Sequence, residues 1–158
     1  MASVTFVRSR SSPRPWLRAC TDTNSRSFAT ADGRVFVHAR KDPEEVVTAF
    51  DLVSGKPLWT QSYQSEFKKN QYAKNMSKGP FSTPLVAEGR LFTLGTSAVL
   101  TSFDAATGAV KWRKDWSKDF DTSRLFTGAS MSPIIAGADC SSSISATIRR
   151  ARSAPSIR

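Results

Sequence analysis

The sequence predicts an all-β protein built from repeated four-stranded antiparallel units, and three observations predict it. A motif Asp-x-x-[Ser/Thr]-Gly-x-x-x-Trp stands twice, at Asp51, Ser54, Gly55 and Trp59 and again at Asp104, Thr107, Gly108 and Trp112, with glycines and tryptophans both 53 residues apart. Upstream of each copy lies a matching turn followed by an apolar run, Asp32-Gly33-Arg34-Val35-Phe36 and Glu88-Gly89-Arg90-Leu91-Phe92. Between these marks, short β-branched and aromatic runs alternate with turn residues, and no stretch keeps a helical period.

Each element follows from this punctuation. In the first unit, residues 35–39, 46–50 and 58–63 are runs of strand length; the second unit answers with 91–95, 99–103 and 110–115. A further strand, 82–87, precedes the second unit, and Pro84 is tolerable near a strand start because the missing N–H can face an unpaired side. The glycines of the two upstream turns are 56 rather than 53 residues apart, since the first unit carries three extra residues in its 39–45 turn. Four short strands in about 50 residues is the period of a propeller blade. The predicted architecture is therefore a partial β-propeller of about two four-stranded blades, 31–63 and 81–116, within a repeat region 31–137. A third blade begins near residue 130, where Met131-Ser132-Pro133-Ile134-Ile135 echoes Ser82-Thr83-Pro84-Leu85-Val86. The inner strand of the first blade is expected to be missing, because nothing before Asp32 repeats the Ser-Pro-apolar pattern.

Charge is distributed unevenly. The chain has 158 residues and a net charge of +10, but residues 1–26 and 138–158 together contribute +7 and contain none of the nine lysines, leaving +3 for the middle. The flanks are Arg/Ser-rich and aperiodic, so 1–30 and 138–158 are expected to be disordered or foreign to the fold. A truncated or frame-shifted piece of a larger repeat protein would look like this; an organellar transit peptide and a phosphate-binding arm are the competing readings of the N-terminal stretch. The apolar run at 4–7 is too short for the core of a secretory signal, and no run reaches the ~18–20 residues of a membrane helix.

The two Asp-to-Trp elements resemble the pyrroloquinoline-quinone-type, or quinoprotein-like, β-propeller repeat, whose pattern Ala-Leu-Asp-x-x-Thr-Gly-x-x-x-Trp stands here as Ala49-Phe50-Asp51-Leu52-Val53-Ser54-Gly55-Lys56-Pro57-Leu58-Trp59. The resemblance covers about residues 31–137 and extends to outer-membrane assembly propellers and to quinoprotein dehydrogenases. It implies that Trp59 and Trp112 dock neighbouring blades, while Asp51, Ser54, Gly55, Asp104, Thr107 and Gly108 shape the turns. It also implies a mostly extracytoplasmic address and, in complete dehydrogenases only, pyrroloquinoline quinone with calcium. The adjacent cysteines often found near that cofactor are lacking, since Cys20 and Cys140 are the only two, and no Glu/Asn/Asp set matches the calcium site.

Chemistry-bearing motifs are few. Phosphate-binding Gly-rich loops and nucleophile elbows are absent from the sequence. His38, the single histidine, lies in a Val-Phe-Val-His run and reads as a buried, hydrogen-bonded strand residue. Asp119 and Asp121 have a spacing found in calcium loops but lack the following acidic and Gly positions. Strand alternation sends the tight motif turns to one face and the long loops to the other. There, Lys68, Lys69, Tyr72, Lys74, Lys118 and Arg124 form the candidate interaction face. The functional expectation is a non-catalytic scaffold that binds other blades, proteins or ligands, with no catalytic or metal residues assigned. A quinone-dependent alcohol or sugar dehydrogenase fragment is the first alternative, and a basic-loop nucleic-acid module the second.

Overall fold

A computed structural model describes residues 26–68, 71–73, 77–117 and 128–135. The described residues form two four-stranded antiparallel sheets. The first contains β1 (Arg26–Ala31), β2 (Arg34–Lys41), β3 (Glu44–Asp51) and β4 (Pro57–Gln64); the second contains β5 (Leu85–Ala87), β6 (Arg90–Leu94), β7 (Val99–Asp104) and β8 (Val110–Asp115), each in simple sequential order. The described part of the connection between the sheets includes a short 3-10 turn, Gln71–Ala73. The all-β, blade-like architecture is that of the sequence reading.

The repeat is reproduced down to its irregularities. Arg34 faces Asp51 across the β2–β3 ladder as Arg90 faces Asp104 across β6–β7. A register shift falls between Ala49 and Phe50 in one sheet and between Ser102 and Phe103 in the other, one residue before each motif aspartate. Bulges of this kind bend and twist the outer strand pair, and both copies use one to lead into the turn.

Two expectations need correction. The first blade does possess an inner strand: β1 pairs with β2 from Arg26↔Ala39 to Ala31↔Arg34. Its sequence, Arg-Ser-Phe-Ala-Thr-Ala, has no Ser-Pro-apolar signature, and main-chain bonds to β2 hold it instead. The blade therefore starts by Arg26, inside the stretch 1–30 that composition assigned to the flank. Second, the strand expected over 82–87 is confined to Leu85–Ala87. Pro84 has no N–H to give, and the Thr83 N–H turns away to donate to Ser132 Oγ at 3.0 Å. The opening of the third unit, described through Ile135, carries no strand.

The sheets pack through alternating side chains. Phe36, Val47, Ala49 and Tyr63 from the first meet Leu91, Val99, Phe103 and Ala105 from the second, with Trp59 against them. Trp59 spans this interface, its ring 6.0 Å from Phe36 and 6.1 Å from Phe103, its Nε1–H donated to the Ala105 carbonyl at 3.2 Å. An indole brings a large apolar area and one polar group that needs a partner; the half-buried Trp59 ring is met by Phe36 of its own sheet and Phe103 of the neighbouring one, and its N–H by the neighbouring sheet's Ala105 carbonyl. Trp59→Ala is expected to cost about 3–5 kcal/mol, a large share of the ~5–15 kcal/mol available to a domain. Trp59→Phe, which keeps a ring and loses the hydrogen bond, should cost distinctly less. Urea denaturation followed by circular dichroism tests the order; equal midpoints for the two variants would contradict it.

Candidate functional site

The motif turns carry the strongest signal in the sequence. Asp51 Oδ1 accepts the N–H groups of Val53 and Ser54, at 3.2 and 2.6 Å, while Asp104 Oδ1 accepts those of Ala106 and Thr107 and the Thr107 hydroxyl, at 3.1, 3.0 and 3.0 Å. Ser54 Oγ and Thr107 Oγ1 then each accept an N–H two residues on. Gly55 and Gly108 close the turns at φ +71° and +76°, a left-handed conformation that glycine adopts without steric cost. These hydrogen bonds lower the pKa of both carboxyls, Asp104 to about 2, with the Thr107 N–H the leading cause. Lys111 adds an ion pair to Asp104 at 3.3 Å. Trp112 repeats the position of Trp59: its ring packs 6.1 Å from Phe92 and beside Leu94, Ala98, Leu100 and Trp116, and is half-buried.

At the opposite end of the interface lies a buried polar cluster that no sequence motif announced. Glu45 and His38 are both fully buried. Glu45 Oε2 accepts from Tyr63 Oη at 2.7 Å and lies 3.2 Å from His38 Nε2. Its Oε1 accepts from the Thr96 main-chain N–H at 2.8 Å, Ser65 Oγ at 3.2 Å and Arg40 Nη1 at 3.3 Å. Thr96 belongs to the second sheet's β6–β7 turn, so this carboxylate ties the blades together. Gly95 sits close enough that a Cβ there would fall 2.2 Å from Glu45 Oε2. Ser97 extends the cluster, its hydroxyl within 3.0 Å of Ser65 Oγ and donating to the Glu66 carbonyl. Burial alone would push the Glu45 carboxyl up, but the hydrogen bond and charge of His38, the Tyr63 hydroxyl and the Thr96 N–H outweigh it and hold the group at about 2. Burial and the adjacent Glu45 charge push the Tyr63 hydroxyl well above its ordinary value, so it stays a donor.

The candidate interaction face is only partly visible. Lys68 and Tyr72 are exposed, whereas Lys69, Lys74, Lys118 and Arg124 lie outside the described residues, as do Asp119, Asp121, Cys20 and Cys140. Lys78 of the same connection forms an ion pair with Asp42 at the β2–β3 turn, and Arg40 bonds the other Asp42 oxygen. Burial pushes the Asp42 carboxyl up and is the largest single effect, but the hydrogen bonds and charges of Lys78 and Arg40 together outweigh it and lower the pKa. On β8, Arg113 lies over the Tyr63 ring at 4.5 Å, a cation–π contact from the second blade to the first. Among the described residues, no group of three or more His, Cys, Asp or Glu side chains is arranged to hold a metal ion, and no helix is long and apolar enough to cross a membrane.

Residues 5–143 match the family described as outer membrane protein assembly factor BamB. The chain belongs to this family. Over 80 residues it is 32% identical to the outer membrane protein assembly factor BamB of Shewanella oneidensis, covering 51% of this chain and 20% of that protein. Over 100 residues it is 34% identical to a 1-butanol dehydrogenase (cytochrome c) of Thauera butanivorans, covering 62% of this chain and 14% of the enzyme. The chain thus spans a fifth or less of the length of these curated relatives. Solved structures similar to it include BamB from Moraxella catarrhalis, at 16% identity and TM-score 0.40 over 56% of this chain and 22% of that one. A europium-containing methanol dehydrogenase follows at 22% identity and TM-score 0.42, over 70% and 18% respectively.

A depressed carboxyl pKa stabilises the folded state above the unfolded value, and that contribution is lost as pH falls through the folded value. For Glu45 the window runs from its ordinary 4.5 down to about 2, and the effect is on the order of 3 kcal/mol. Glu45→Gln should be destabilised at pH 7, with a stability that changes much less across this window. Urea midpoints measured from pH 6 to pH 2 test this; parallel curves for the two proteins would contradict it.

Proposed function

We propose that the chain is a non-catalytic propeller scaffold whose blades serve to hold an interaction surface, as two blades of a ring of about four to eight. One observation carries the reading: the described carboxylates with displaced pKa values are occupied within the fold. Glu45 meets five hydrogen-bonding groups, four of which can only donate or already donate to it. Asp51 and Asp104 are taken up by their own turns, and the Trp59 indole by the neighbouring blade. A quinone-and-calcium centre needs such carboxylates and an indole face directed toward a ligand. The partner is proposed to be a protein, in keeping with the assembly role in the family's name, met on the long-loop face by Lys68, Lys69, Tyr72, Lys74, Lys118 and Arg124.

The dehydrogenase reading is favoured by one finding, the partial match to a 1-butanol dehydrogenase, and is tested alongside. Purified full chain is mixed with pyrroloquinoline quinone, calcium, 1-butanol and a redox dye, and separately titrated with a labelled peptide copied from an outer-membrane β-barrel strand and with single-stranded RNA at two salt concentrations. The scaffold reading expects dye reduction no faster than the protein-free blank, saturable peptide binding that Lys68→Glu/Tyr72→Ala weakens at least fivefold, and no saturable RNA binding. Alcohol-dependent dye reduction, or RNA binding that outlasts the higher salt, would overturn it.

A further inference from the structure

A hairpin tip is ordinarily solvated, and the β2–β3 turn of the first sheet obeys this, with Asp42 and Pro43 exposed. Its counterpart between β6 and β7, Gly95-Thr96-Ser97-Ala98, is buried throughout, Thr96 completely. All four residues are small, and Ala98 is held at φ +63°, in the left-handed region that a residue with a Cβ rarely takes. Such a conformation persists where the surroundings over-determine it, so the turn is fixed by what lies on it.

The two connections that follow β4 and β8 lie on it, each hydrogen-bonded to it at both described ends. At the start of the first, Ser97 Oγ donates to the Glu66 carbonyl at 2.8 Å and lies 3.0 Å from Ser65 Oγ; at its end, Thr96 Oγ1 donates to the Lys78 carbonyl at 3.1 Å. At the start of the second, the Trp116 N–H donates to the Ala98 carbonyl at 3.2 Å; at its end, the Ala129 N–H donates to the Thr96 carbonyl at 2.9 Å. The connections also meet each other there. A Cβ on Gly128 would fall 2.5 Å from Thr96 Cγ2 and 3.0 Å from Phe67 Cε2, so Gly128 of the second is packed between the turn and Phe67 of the first. Beneath them, Glu45 of the first blade takes the Thr96 N–H.

Segments bonded to one support and to each other open as a unit rather than singly. We propose that the β6–β7 turn couples the two connections into one cooperative interaction surface, so that a protein partner engaging the first, where Lys68 and Tyr72 stand exposed, also holds the second in place. Thr96 and Ser97 are the positioning residues of that surface. The partner it fits is a protein segment rather than a small molecule, because the turn and its contacts are buried and leave only the outer sides of the connections to be met. The choice of partner rests on the scaffold reading, while the coupling rests on the hydrogen bonds of the turn.

The test is amide hydrogen exchange of the full chain, followed by NMR, in the parent and in Ser97→Ala, which removes two side-chain contacts and leaves the main-chain bonds of the turn in place. The Thr96, Trp116 and Ala129 N–H groups should rise together by about tenfold, the factor one lost hydrogen bond supplies, while the β2–β3 ladder amides keep their rates. Thr96→Val, which deletes the bond to the Lys78 carbonyl at nearly constant volume, should give the same joint rise. Saturation with the outer-membrane strand peptide should slow Trp116 and Ala129 in the parent chain along with Thr96. A peptide that does not bind would sink the scaffold reading and leave the free-chain rates to decide the coupling. Thr96 responding to Ser97→Ala while Trp116 and Ala129 keep their parental rates, or a bound peptide that slows Thr96 alone, would overturn the proposal.

Discussion

The structure depends on an indole laid against a glycine of the next blade. A four-stranded sheet has two faces and cannot bury either without a neighbour, so a blade array stands or falls on the contact that brings sheets together in register. Trp59 supplies that contact with a ring between Phe36 and Phe103 and a hydrogen bond to Ala105. Gly108 is required twice over, by its φ of +76° and by the space the ring takes. The aspartate and hydroxyl residues around it fix the turn so that the Ala105 carbonyl and the Gly108 surface face the incoming ring.

The opposite end of the interface is held by different physics. Glu45 reaches from β3 to the Thr96 N–H, and His38, Arg40, Tyr63 and Ser65 compensate the charge that its burial would otherwise leave unmatched. A buried carboxylate with this many partners is costly to lose from one side only, because its partners are then stranded. It contributes directionality that apolar packing lacks: the aromatic contact sets how close the blades sit, and the carboxylate sets their register at the loop end. In the second sheet, Leu94 stands where His38 stands in the first, so among the described residues the second sheet does not repeat the polar clamp.

Much of this was legible in the sequence. The strands 46–50, 58–63, 91–95 and 99–103 are close to the observed elements because their boundaries are set by Gly, Asp and Pro, whose backbone preferences are local. Strand β1 was not legible, because an edge strand of Ser, Ala and Thr is recruited by its neighbour's main chain and carries no pattern of its own. The Glu45 cluster was hidden for another reason. Glu45 and Thr96 are 51 residues apart, and neither spacing nor residue type signals that a charged side chain in a strand faces the neighbouring blade. The place of His38 in an apolar strand points to a buried, hydrogen-bonded side chain, but its partner is visible only in three dimensions.

The most direct measurement of the central contact is a nuclear Overhauser spectrum of the isotope-labelled full chain. Cross-peaks between the Trp59 ring protons and the Gly108 Hα protons are predicted, at intensities comparable with those between Trp59 and Phe36 within the first blade. Intact intra-blade cross-peaks with none reaching Gly108 would show two sheets that fold without docking, and the account would be wrong.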